Sequence, residues 1–102
     1  MAKVIVQHQV ADYDAWIAVF NEHQTVRKSH GATGHSVSRA ASDPNTIVIV
    51  NDFATLDGAL AFTQDPSLPA AMAQGGVTGH PQVWITNEAD AAAYYPIAAF
   101  RR

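Results

Sequence analysis

Five histidines and no cysteine stand in this chain. Any acid–base or nucleophilic chemistry must therefore rest on imidazole, carboxylate, hydroxyl or phenol groups. His23 is the first candidate. At 100° per residue it shares one helical face with Trp16, Val19, Phe20, Val26 and His30, so it sits mid-stripe on an aromatic and aliphatic surface. A pocket there could tune its pKa toward that of a general base. The competing reading is a core histidine bonded to a backbone carbonyl or water.

His8 is the second candidate, because strand alternation puts it with Val4, Val6 and Val10, the more apolar face of its segment, where it could point into a pocket near His23 or bond across a dimer interface. Asn51 shares a face with Ile47, Ile49 and Phe53, and a buried amide must find hydrogen-bond partners. It could orient a substrate oxygen or satisfy a neighbouring bulge. Trp16 and Phe20 flank His23 and would wall a substrate pocket, although large aromatics serve packing first. Trp84 is a further wall candidate, but it alternates with Val83 and Ile85, which would turn it toward an interface.

No two histidines are spaced i, i+4 on a helix as in a zinc-enzyme motif. His23 and His30 are two turns apart, so no metal site is expected. The absence of cysteine excludes disulfides, thiolate metal sites and cysteine nucleophiles. None of the five serines lies in a Gly-x-Ser-x-Gly elbow, and no Gly-Lys-Ser/Thr follows Gly75-Gly76 to make a phosphate loop.

These residues need elements to hold them. Residues 3–10 read as a strand, followed by Asp12 as the cap of a helix running to His30, with Gly31 able to end it in the left-handed conformation. Residues 34–41 form a second strand, Ser42-Asp43-Pro44-Asn45 a turn, and residues 46–53 a near-continuous apolar strand expected to be covered on both faces. Thr55 opens a helix to Gln64, with Leu56, Ala59, Leu60 and Thr63 toward the sheet and Phe62 beside them. Gly58 weakens that helix by about 1 kcal/mol relative to Ala. A shorter helical piece over residues 68–73 and a strand over 82–87 follow. The order β-α-β-β-α-β predicts an α+β, ferredoxin-like domain with a four-stranded antiparallel sheet.

A chain of 102 residues has room for one core, so residues 1–102 read as one domain, with a core over about 3–87 and a tail over 88–102. The composition is 48% hydrophobic and 15% charged, ordinary for a globular chain but poor in charge for a small monomer. Helices on one sheet face leave the other apolar and uncovered, which predicts a homodimer. A net charge of −3 and six scattered basic residues argue against a nucleic-acid partner. The run Val4-Ile5-Val6 is too short for a signal core or membrane span, so a cytoplasmic location is expected.

The chain resembles the dimeric α+β-barrel superfamily, which includes antibiotic-biosynthesis monooxygenase-like proteins, haem-degrading monooxygenases and stress-responsive barrel proteins. The likeness rests on Asp12-Tyr13-Asp14-Ala15-Trp16, His30-Gly31, Asp43-Pro44-Asn45, Asp65-Pro66-Ser67-Leu68, Met72, Gly75-Gly76-Val77 and Pro81. It implies two sheets packed face to face in a dimeric barrel, with one pocket per subunit between sheet and helices. In the monooxygenase branch it implies no cofactor, because the deprotonated substrate reduces oxygen directly. The haem-degrading branch carries Asn on the first strand, Trp near the end of the third and His on the second helix. Here those places offer Gln7 and His8, Phe53, and no histidine between His35 and His80, which disfavours haem degradation. Related polyketide-cyclising barrels carry an acid–base histidine near the final strand, which singles out His80.

The leading expectation is a cofactor-free monooxygenase of an aromatic or polyketide-like substrate, using His23, His8 and Asn51. A polyketide cyclase or isomerase pairing His80 with His23 is the second. A non-catalytic ligand-binding or stress-related dimer is the third.

Overall fold

The computed structural model describes residues 1–94. The elements run β1 (Ala2–Val10), α1 (Tyr13–Glu22), α2 (Gln24–Ser29), β2 (Ala32–Ala40), β3 (Asp43–Phe53), α3 (Leu56–Thr63), α4 (Ser67–Gln74) and β4 (Val77–Asn87). The four strands form one antiparallel sheet in the order β2-β3-β1-β4. This is the ferredoxin-like α+β arrangement expected from the β-α-β-β-α-β order.

Alternation decides which side chains meet the helices. Ala2, Val4, Val6, His8 and Val10 of β1 are buried, as are Ile47, Ile49, Asn51 and Phe53 of β3. Trp16, Phe20, Ala59 and Phe62 close the core from the helical side. The opposite sheet face carries Ile5, Val48, Val50 and Trp84, with Ile5 paired to both Val50 and Trp84. The apolar run of β3 is thus covered by this chain's helices on one face only.

Asp12 caps α1 through its carboxylate, which accepts from the amide of Ala15 at 3.0 Å, and Thr55 caps α3 by accepting from Gly58. Gly31 leaves α2 at φ 91°, the left-handed conformation expected there.

Several boundaries differ from the sequence expectation. The first helix is broken at His23, which ends α1 and precedes α2. The hairpin turns at Ala41-Ser42, so Asp43 already belongs to β3, where its carboxylate accepts from the Asn45 amide and the Thr46 hydroxyl. β4 begins at Val77 and not at residue 82, placing His80 on a strand. In α3 the buried residues are Ala59 and Phe62, whereas Leu56 and Leu60 are partly exposed. The helix is turned so that Phe62 meets Phe53, ring centroids 5.4 Å apart.

Tyr94 is exposed, and Tyr95, Pro96, Arg101 and Arg102 lie outside the described residues. Among the described residues no helix is long and apolar enough to cross a membrane. No group of three or more His, Asp or Glu side chains among them could hold a metal ion.

Candidate functional site

A cavity of about 100 Å³, continuous with open solvent, lies between the sheet and the helices. Its walls are mostly apolar: Val4, Val6 and Ile49 from the sheet, Trp16 and Phe20 from α1, Phe62 from α3, and Leu68 and Met72 from α4. Five polar side chains interrupt them, His8 on β1, Asn51 on β3, His23 at the α1–α2 break, Arg27 on α2 and Thr63 at the end of α3. An apolar pocket with a few convergent polar groups is the usual form of a small-molecule site.

The aromatic residues form a continuous run along the sheet. His8 meets Trp16 edge-on at 5.5 Å, Trp16 stacks on Phe20 at 5.0 Å, and Phe20 meets His35 edge-on at 5.0 Å. Trp16 repeats to Phe20 by one helical turn, which is why both stand over the same strip of sheet. Gly75, where a Cβ would come within 3.0 Å of Trp16 Cδ1, lets α4 close against that ring.

The polar groups are unusual in lacking partners. His8 is 5% exposed, Arg27 3% and Asn51 2%. His8 Nδ1, Arg27 Nη2 and Asn51 Oδ1 are each buried without a hydrogen bond. Asn51 Nδ2 donates weakly to the Val4 carbonyl at 3.4 Å. Arg27 Nη1 donates to the Phe20 carbonyl at 2.8 Å, and its guanidinium carbon lies 3.7 Å from the Phe20 ring centroid. Orphaned buried polar atoms are few in folded proteins, and here all three belong to residues that line one cavity.

His23 has a defined anchor. Its Nε2 is 2.9 Å from Ser67 Oγ, which is 2.6 Å from Asp65 Oδ1, while Asp65 Oδ2 is 2.7 Å from His30 Nε2. The hydrogen bonds from His30 and from the Ser67 hydroxyl and amide hold the Asp65 carboxyl far below its ordinary range. Asp65 is therefore a carboxylate that only accepts.

Burial lowers the pKa of three of the imidazoles. Burial pushes the His8 pKa down. Burial, then the charge of Arg27, lowers His23, with Asp65 opposing. Burial and Arg27 lower His35 as well. Arg27 itself is lowered to about 10 by desolvation, so it remains charged at neutral pH.

Of the residues singled out in the sequence, His8, Trp16, Phe20, His23 and Asn51 come together around this cavity. His80 and Trp84 do not. His80 is exposed on β4, and Trp84, 46% exposed, pairs with Ile5 on the opposite sheet face. Val83, its neighbour, lines the cavity instead. The residue that sequence reasoning passed over is Arg27. It lies seven positions after Phe20 and eleven after Trp16, within about 20° of each on a helical wheel. A cation in the middle of an aromatic stripe was the available signal.

Neither a protein-family model nor a curated protein sequence matches the chain. Solved structures do. The cofactor-independent oxygenase SnoaB from Streptomyces nogalater superposes with a TM-score of 0.70 at 15% identity, over 88% of this chain and 94% of that one. A candidate antibiotic biosynthesis monooxygenase from Bordetella bronchiseptica gives 0.69 at 17% identity, over 85% and 95%. One from Deinococcus radiodurans gives 0.69 at 14% identity, over 94% and 100%. Likeness at such low identity speaks for the fold: this chain shares the ferredoxin-like α+β fold of the antibiotic-biosynthesis-monooxygenase-like proteins.

Proposed function

We propose that this protein is a cofactor-free monooxygenase of electron-rich aromatic, polyketide-like substrates, working as a homodimer. The observation that carries the reading is the apolar cavity with His8 Nδ1 and Asn51 Oδ1 buried and unpaired beside an anchored, neutral His23. The likeness in fold to SnoaB, a cofactor-independent oxygenase, supports it.

In this reading His23 is the base. Its Nε2 hydrogen is committed to Ser67, which leaves Nδ1 as the proton acceptor, and a base oriented by a further group is the arrangement such catalysis needs. Asn51 and His8 bind the substrate's oxygens. Removal of a proton from an acidic ring CH₂ gives a carbanion, whose electron pair goes to O₂ as the C–O bond forms. Loss of the second ring proton with departure of hydroxide breaks the O–O bond. One oxygen atom becomes the ring carbonyl, and the other leaves as water with the two substrate hydrogens. The apolar walls keep the carbanion from being quenched by solvent. The cyclase reading relied on His80 beside His23, and His80 stands outside the cavity lining.

Oxygen uptake with anthrone in chelator-treated buffer tests the proposal. One O₂ should be consumed per quinone formed. His23→Ala should lower the rate by about 10²–10⁴-fold while binding persists. Anthrone that binds without enzyme-dependent oxygen uptake would favour the non-catalytic ligand-binding reading.

A further inference from the structure

We propose that Arg27 is an anion subsite of the cavity, so that the ligand is an aromatic compound carrying a carboxylate. This rests on the reading of the cavity as a small-molecule site and names the class of molecule it takes.

Arg27 carries a charge that has no counter-ion among the described residues. Arg27 is 3% exposed, and a guanidinium has five N–H donors and never loses its charge at neutral pH. One contact goes to the Phe20 carbonyl and one face lies over the Phe20 ring, while Nη2 has no partner. Among the described residues no carboxylate forms an ion pair with it. Lys3 takes Asp52 and Glu88, and His30 takes Asp65. The chain's remaining acids, Asp12, Asp14, Glu22, Asp43, Asp57 and Asp90, make no ion pair either. Burying one charge of a pair without the other is costly, and a charge kept that way is commonly matched by something that binds.

The polar contact to Phe20 does not account for the arginine. A neutral donor would serve the same carbonyl without desolvating a cation. Burial first, and then the cation, lower the pKa of His23 and His35, so a ligand anion brought to Arg27 sits beside imidazoles that do not compete for it.

The form of the anion follows from the surroundings. Nη2 offers two hydrogens, and most of the remaining wall is apolar. A phosphate dianion needs more donors than that, whereas a carboxylate on an aromatic ring is satisfied by a guanidinium edge. The space of about 100 Å³ is smaller than the dry cavity of about 150 Å³ known to take benzene but opens to solvent, so it holds at most one ring, with the rest of the ligand outside. Arg27 also borders a polar depression with Gln24, Thr33 and His35. The two other orphaned atoms, on His8 and Asn51, belong to residues of the apolar cavity, which is why the ring is assigned there.

The test compares salicylate with salicylamide, which share ring and phenol and differ in charge, by calorimetric titration of the full chain. Salicylate should bind wild type at least about tenfold more tightly, the effect of one charge-assisted contact. In Arg27→Met, close in length and uncharged, the preference should fall to about twofold or less, while Arg27→Lys keeps part of it. Equal binding of the two probes to wild type would overturn the anion subsite and leave the pocket intact. Binding of neither would overturn both the subsite and the small-molecule reading. A tenfold preference surviving in Arg27→Met would also overturn the assignment. Should that variant not fold, the Arg27 side-chain Nε–Hε resonance of wild type reads the same contact. Salicylate should move it and salicylamide should not, and an unmoved resonance overturns the proposal.

Discussion

His23 Nε2 stands 2.9 Å from the hydroxyl oxygen of Ser67, forty-four residues further along the chain. Which atom donates can be worked out. Ser67 Oγ is also 2.6 Å from Asp65 Oδ1, and the Asp65 carboxylate can only accept, so the hydroxyl hydrogen points at Asp65. Ser67 must then accept from His23, which fixes the Nε2–H tautomer and leaves the Nδ1 lone pair free. The first residue of α4 thus decides which nitrogen of a helix-break histidine is basic.

Ser67→Ala should release that choice. In wild type, ¹⁵N shifts of neutral His23 should show a protonated Nε2 and a bare Nδ1. The variant should show a mixture of tautomers and a proportionate drop in any His23-dependent activity, with affinity for an uncharged ligand retained. An unchanged ¹⁵N pattern would mean that Ser67 does not set the tautomer.

Acid should weaken the fold through the same histidines. His8, His23 and His35 all have folded-state pKa values below the unfolded value, which is about 6.5 for histidine. Between the two values the unfolded chain binds more protons, so stability rises with pH there. The melting temperature should fall as pH drops below about 6.5 and level off above it. His8→Asn should flatten part of that slope, as followed by thermal melts from neutral to mildly acidic pH. A melting temperature indifferent to pH in this range would contradict the lowered pKa values of these imidazoles.

Asp65 has its own, more acidic window. Its pKa is lowered by hydrogen bonds from His30 and Ser67, so its contribution is present above the unfolded carboxyl value of about 3.9 and is lost as pH falls below it. Asp65→Asn should lower the melting temperature at pH 7 and remove that acid-side dependence. It should also disturb His23 indirectly, because the Ser67 hydroxyl would lose its acceptor. Carboxyl ¹³C titration of wild type should find Asp65 still ionised below the ordinary carboxyl value of about 3.9.

The element order could be read from the sequence because the signals were local: alternation in β1 and β3, Asp12 and Thr55 as caps, Gly31 past α2. The face of Asn51 could be read as well, since a period of two leaves one choice of side, whereas the phase of His8 left both the pocket and a dimer interface open. What stayed hidden depended on distant neighbours. Ser67 and Asp65 reach His23 and His30 only once α4 docks on α1, and nothing in their own segment announces it. Arg27 was set aside because a stripe scored by apolarity ignores a cation lying on it. The early start of β4 was obscured by Gly79 and Pro81, residues that ordinarily end strands. Gly79, at φ 71°, accompanies the register shift between Gln7 and Gln9.

Gly58 shows propensity overruled by packing. In an exposed helix interior, Gly→Ala gains about 1 kcal/mol. Here a Cβ would fall against the His30 carbonyl oxygen, well inside van der Waals contact, and that atom is backbone. Gly58→Ala should therefore destabilise, by about 1–3 kcal/mol as for overpacking, or several degrees in melting temperature. It should also loosen the His30–Asp65 pair. A variant more stable than wild type would show that α3 is free to move away from α2.

The outer sheet face bears on assembly. Ile5, Val48, Val50 and Trp84 share the side the helices do not cover, and Trp84 is 46% exposed. An apolar patch of this kind on so small a chain favours a second sheet over water. If two copies pack face to face, Trp84→Glu places a charge within the interface, and Lys3, which shares that face, is already paired with Asp52 and Glu88. Light scattering at micromolar concentration should then read a dimer for wild type and a monomer for the variant. The cavity lies on the other side of the sheet, so salicylate affinity should change little. A monomeric wild type would refute the dimer, and a dimeric Trp84→Glu would move the interface away from this face.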